Sequence, residues 1–90
     1  MMKIHRDGYH IHMDGHAGNK IACAMMTALS VAYINNLRDM AFYEGDGTLD
    51  VGVMDVNVPS DNSVAVFLTE AFWNAVNGLV QSYPNSFSIV

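Results

Sequence analysis

Ninety residues, 51% hydrophobic and 14% charged, are expected to form one small domain over 1–90, with a core but a narrow stability margin that a homodimer would widen. A formal charge of −5 with only four Lys and Arg argues against direct contact with nucleic acid, which needs clustered cations, and suits a protein or peptide partner. A single cysteine excludes an internal disulfide, and no leader or membrane-spanning run is read in the pattern, so a cytoplasmic protein with no membrane contact is expected.

Met2 to Met13 reads as a β-hairpin turning at Asp7-Gly8, a type I′ pair that sets Arg6 opposite Tyr9 and His5 opposite His10. Its alternation puts Met2, Ile4, Tyr9, Ile11 and Met13 on a core face. Lys3, His5, His10 and His12 fall on the other, read as a solvated face because no carboxylate is seen to join the histidines as metal ligands.

Asp14-Gly15-His16-Ala17-Gly18 then breaks the alternation and places His16 on a turn. Asn19 to about Arg38 is predicted as a helix, capped by Gly18 or Asn19 and apolar on nearly all sides as far as Ile34. Cys23 falls in or next to its first turn. A free thiol is mostly protonated at neutral pH, and a neighbouring imidazolium or the positive end of a helix favours the thiolate; this placement offers both. His16 and Cys23 are therefore the candidate base and nucleophile. Gly15, Ala17, Gly18 and Thr27 are candidates for holding an oxyanion or the substrate, together with the amides at the helix start. Thr27 has the simpler alternative of bonding a helix carbonyl, and Cys23 that of a small core residue.

Met40 to Glu44 and Thr48 to Val58 are predicted as a second hairpin around Gly45-Asp46-Gly47. In the latter strand Leu49, Val51 and Val53 alternate in one phase, and Met54, Val56 and Val58 in the other. A bulge near Val53 and Met54 is the expected reason. After a loop at Pro59 to Asn62, a helix is predicted from about Ser63 to Ser82 with an apolar stripe of Val64, Phe67, Leu68, Ala71, Phe72, Ala75, Val76, Leu79 and Val80. Trp73 lies off that stripe as a partly buried aromatic. Phe87 to Val90 forms a last short strand. The order implies an α+β two-layer sandwich: a small, mostly antiparallel sheet with two helices packed on one face. Gly15 and Gly18 lack the Lys and Ser/Thr spacing of a phosphate loop, and no cofactor or metal is expected.

The run from Asp14 to Gly18, followed by Ile21-Ala22-Cys23-Ala24-Met25-Met26-Thr27-Ala28-Leu29, resembles the signature of the ribosomal-processing cysteine proteases, the Prp family. Gln81-Ser82-Tyr83-Pro84 and Phe87-Ser88-Ile89-Val90 are similar to that family's closing helix, turn and strand. The resemblance implies that His16 and Cys23 form a Cys-His dyad, with Thr27 in place of the family's helix Ser. It further implies removal of a short N-terminal extension from a ribosomal protein, or from a phage capsid or scaffold protein. The His-to-Cys connection is shorter than the family's, and Lys20 stands where the family carries Asp. An inactive homodimeric peptide-binding or assembly module on the same fold is the alternative.

Overall fold

The computed structural model describes residues 1–43, 47–50 and 52–90. Its elements run β1 (Met2–Asp7), β2 (His10–Asp14), α1 (Lys20–Met40), β3 (Gly47–Asp50), β4 (Val53–Asn57), α2 (Ser63–Ser82) and β5 (Phe87–Ile89). The strands form one sheet in the order β3-β4-β2-β1-β5, antiparallel throughout except for β5 beside β1. Met2, Ile4, Ile11, Met13, Met54, Val56 and Phe87 are buried on one face, whereas Lys3, His5, His10, His12 and Asp55 on the other are exposed or half-buried. Both helices therefore cover the first face, and the fold is the expected α+β layer pair.

The first hairpin keeps its predicted faces but not its register. Asp7 pairs with His10 and His5 with His12, so the turn is Gly8-Tyr9, and positive φ is confined to Gly8 at its first position. That is the II′ arrangement rather than I′. A register change of two residues leaves every side chain on its original face.

Helix α1 begins as predicted. The Asn19 side-chain carbonyl accepts from the amides of Ile21 and Ala22, satisfying donors that a helix start leaves without partners. The helix runs two residues past the predicted end. Phe42 then takes a left-handed backbone with φ 53°, and the Tyr43 N–H reaches back to the Leu37 carbonyl, closing the helix as a glycine usually does. The strand predicted from Met40 is thus a helix end as far as Tyr43; Glu44, Gly45 and Asp46 lie outside the described residues.

The second hairpin is displaced as well. Its strands are β3 and β4, and where the change of phase predicts a bulge, Asp50 of β3 instead pairs antiparallel with Val53 of β4, with Gly52 at φ 73°; Val51 lies outside the described residues. In α2 the buried face is Ala65, Thr69, Phe72, Val76 and Leu79, while Val64 and Phe67, assigned to the stripe, are exposed. The stripe is rotated because a hydroxyl joins the core. Thr69 donates to the Ala65 carbonyl and so accepts from the Tyr33 hydroxyl at 2.7 Å, while the Tyr33 ring stacks on Phe72 at 4.3 Å between centroids. Helix α2 is long and apolar enough to cross a membrane by length and composition alone, and the side chains of its buried face join the protein's own core. Trp73 is partly buried, and the Arg6 guanidinium lies 5.4 Å from its ring and pairs with Glu70, tying β1 to α2.

Candidate active site

A cleft of about 410 Å³ opens where the end of β2, the first turns of α1 and the β3-β4 hairpin meet. His16 and Cys23 both line it. The sequence separates them by a turn and a cap, and the fold brings them to one wall.

Each is placed by backbone features that depend on particular residues. Gly15 has φ 99°, donates its N–H to the Gly52 carbonyl at 3.0 Å, and lies so close to the chain start that a Cβ would stand 2.8 Å from the Met1 carbonyl oxygen. Only glycine meets both demands. Gly52 repeats the pattern across the cleft: a Cβ there would stand 3.3 Å from His16 Cε1 and 3.5 Å from Nε2. The His16 ring thus rests on the face of a glycine, held by the hairpin of residues 47–57 although it belongs to the β2-α1 turn. Cys23 is half-buried, and its amide bonds the Asn19 carbonyl at 2.9 Å, which puts it at the end of the first helical turn. Among the described residues no hydrogen bond joins the His16 ring to Cys23. Catalytic hydrogen bonds are often long before substrate is bound, and the shared cleft wall is the relevant geometry.

The remaining predicted residues divide. Gly15 and Thr27 line the cleft; Ala17 is buried and Gly18 exposed, and neither lines it. Thr27 Oγ1 donates to the Cys23 carbonyl at 2.9 Å, the simpler of its two readings, and keeps its lone pairs for a ligand. The amides of Ile21, Ala22 and Cys23 at the helix start are already engaged by Asn19, so they are not the free donor set expected there. The floor consists of residues that periodicity assigns to the core: Met2, Met13, Met26 and Met54, each at most 8% exposed. Leu49, Asp50 and Val53 complete the hairpin side. Sequence reasoning missed these because the hairpin was placed elsewhere.

The histidines on the opposite face require a correction. Carboxylates do join them: Asp55 of β4 accepts from His10 Nε2 at 3.0 Å and His12 Nδ1 at 2.8 Å, and Asp14 lies 3.1 Å from His12 Nε2. The hydrogen bond to Asp55, then that to Asp14, raises the His12 pKa above its ordinary value. Burial pushes the Asp55 carboxyl up, but the bonds from His12 and His10 outweigh it and hold it low. Asp14 is engaged by His12 on this face. Among the described residues no group of three or more His, Cys, Asp or Glu is arranged to hold a metal.

Solved structures with this architecture are known. An essential ribosomal processing protease Prp from S. aureus, in complex with a substrate peptide, superposes with a TM-score of 0.85 at 17% identity, covering 100% of this chain and 98% of that one. The chain has a Prp-like fold. The same protease with a covalently linked product peptide gives a TM-score of 0.82 at 19% identity, covering 98% and 94%. SMU.848 from Streptococcus mutans gives 0.79 at 22%, covering 98% and 92%. No family model and no curated protein sequence matches the chain. The likeness to Prp is therefore one of fold.

Proposed function

We propose that the protein is a cysteine endopeptidase of the Prp type, in which Cys23 attacks a peptide carbonyl and His16 takes the thiol proton and returns it to the leaving amine. Water then resolves the thioester. The observation that carries this reading is the convergence of the chain's one thiol and the His16 imidazole on a single apolar cleft. Support comes from the S. aureus protease, which was captured with a covalently linked product peptide on the same fold. Cys23 is the residue of this cleft whose chemistry gives such a link most readily.

Gly15 and Thr27 are assigned to contact with the peptide, and Ala17 and Gly18 to the turn that aims His16. The substrate we propose is a protein with a short N-terminal extension, ribosomal or from a phage capsid or scaffold, because an extended tail can enter a cleft that a folded segment cannot.

The test is the rate of Cys23 alkylation by iodoacetamide in the folded protein between about pH 5 and 9, in the wild type and in His16→Ala. Rapid reaction at neutral pH, slowed about tenfold in His16→Ala, is the expected result. A thiol that reacts only on unfolding, whatever occupies position 16, would overturn the protease reading in favour of a non-catalytic peptide-binding module.

A further inference from the structure

One side of the cleft is an edge of the sheet. Strand β3 ends the order β3-β4-β2-β1-β5, its residues are exposed throughout, and among the described residues none pairs with its outer side. Two hydrogen bonds further in fix which of its backbone groups face outward. The Gly15 N–H donates to the Gly52 carbonyl and the Val58 N–H to the Tyr9 carbonyl, each at 3.0 Å. Along an antiparallel ladder, hydrogen-bonded pairs alternate with pairs that are not. With Met13 opposite Met54 and Ile11 opposite Val56, the backbone groups of Gly52, Met54, Val56 and Val58 therefore point toward β2, and those of Val53 and Asp55 toward β3. Val53 lies opposite Asp50, and Asp55 opposite Thr48, so Asp50 and Thr48 turn their N–H and C=O groups to β4. Leu49, and Gly47 one pleat back, turn theirs outward.

The Leu49 side chain joins this edge to the cleft. Leu49 pairs with Met54, which is 2% exposed, and both line the cleft with Cys23 and Thr27 of α1. One residue thus presents a backbone donor and acceptor along the sheet edge and an apolar side chain over the methionine floor. The other edge, β5, lies at the far end of the sheet, and none of its residues lines the cleft.

We infer that the peptide binds as a sixth strand on the outer edge of β3, its main chain bonded to Leu49 and every second side chain directed into the cleft. The inference rests on the cleft being a peptide site and deepens the proposed function by naming how the substrate is held. A strand added there lies about 4.8 Å beyond β3 and sends successive side chains to opposite faces, so alternate residues enter on the Leu49 side and those between face the open side of the sheet. Main-chain bonds supply affinity with little regard to sequence, and the side chains that enter the cleft supply selection. A helix has already paired its own N–H and C=O groups, so the occupant is an extended, unpaired segment. Continuity of the edge with the cleft through Leu49 favours such a segment over a second copy of this chain.

The experiment is fluorescence anisotropy on the full chain carrying Cys23→Ala, which binds without turnover. The probes are labelled, end-blocked heptapeptides with a central Leu and Thr on either side, N-methylated at a single backbone position in turn. Loss of a main-chain hydrogen bond is expected to weaken binding about tenfold, and the loss should fall on alternate positions only. Leu49→Pro removes the outward N–H and leaves the Thr48 and Asp50 pairings with β4, so it should keep a urea midpoint near that of the wild type and bind the unmethylated peptide about tenfold more weakly. Leu49→Ala retains the N–H and should keep the alternation. Equal tolerance of N-methylation at every position, sensitivity without alternation, or no binding at about 1 mM overturns the inference. So does a dimer in analytical ultracentrifugation that Leu49→Pro abolishes, which would assign the edge to a second copy. Alternating sensitivity with an unreactive Cys23 in the wild type would leave the inference standing while the protease reading fails; a reactive Cys23 with uniform tolerance would do the reverse.

Discussion

His16 owes its position to a residue that carries no side chain. Its ring lies within van der Waals contact of the place a Gly52 Cβ would occupy, and Gly52 has a left-handed backbone. Gly52→Ala combines a backbone cost of about 1–2 kcal/mol with displacement of the imidazole. We expect the variant to fold with a lowered urea midpoint and to lose most of the His16-dependent alkylation of Cys23 at neutral pH. Wild-type reactivity in this variant would show that the glycine face does not position the base. The legibility of individual residues followed from how local their reasons are. Asn19 was readable as a cap because capping acts over two or three residues, and Thr27 as a carbonyl donor for the same reason. Gly52 was not, because its constraint comes from His16, 36 positions away in sequence and apparent only once the hairpin of β3 and β4 closes on the β2-α1 turn.

At the scale of elements, the contact between α1 and α2 turns on one polar pair. Thr69 is fully buried and links Ala65 to Tyr33, whose pKa burial raises, offset in part by that hydrogen bond. Thr69→Val leaves the buried Tyr33 hydroxyl without its acceptor and is expected to cost about 1–3 kcal/mol in urea unfolding. Tyr33→Phe in the same background should recover most of that loss, since two apolar partners of similar shape leave nothing unsatisfied. Strict additivity of the two losses would rule out the pair as the linking contact. Periodicity found α2 to the residue but rotated its buried face, because a threonine counts as polar in any hydropathy pattern while here its hydroxyl is satisfied inside the helix pair. The second hairpin was misplaced for a related reason. An alternating run that changes phase reads equally as one bulged strand or as two strands around a tight turn, and only pairing partners distinguish them.

Across the whole molecule, the open face of the sheet carries a proton-dependent link between β2 and β4. His12 binds its proton more tightly when folded, so its contribution is whole below its ordinary value of 6.5 and is lost as pH rises through the raised one. Asp55 is the reverse case, contributing above its ordinary 3.8 and losing the contribution as pH falls through the lowered value. The two overlap between about pH 4 and 6.5, where the β2-β4 ladder is expected to be firmest. Both side chains are 38% exposed, so screening limits the gain to about 0.5 kcal/mol. Urea midpoints measured across that range should pass through a maximum that His12→Gln flattens on its neutral side; an unchanged profile would remove His12 from the account. The link bears on the cleft because β4 is continuous with Gly52, whose carbonyl holds Gly15 beside His16.

The sequence by itself determined the layer pair, the two helices with the Asn19 cap of the first, and the faces of the first hairpin. Each of these depends on periodicity, on a residue's own conformational range, or on chemistry confined to a few neighbouring positions. Tertiary structure alone decided that His16 and Cys23 share a cleft, that Met2, Met13, Met26 and Met54 floor it with Asp50 at the rim, and that Asp55 joins His10 and His12. These are juxtapositions across strand and helix pairings dozens of residues apart. Their register is selected by the packing of the whole sheet, and no short stretch of chain encodes it.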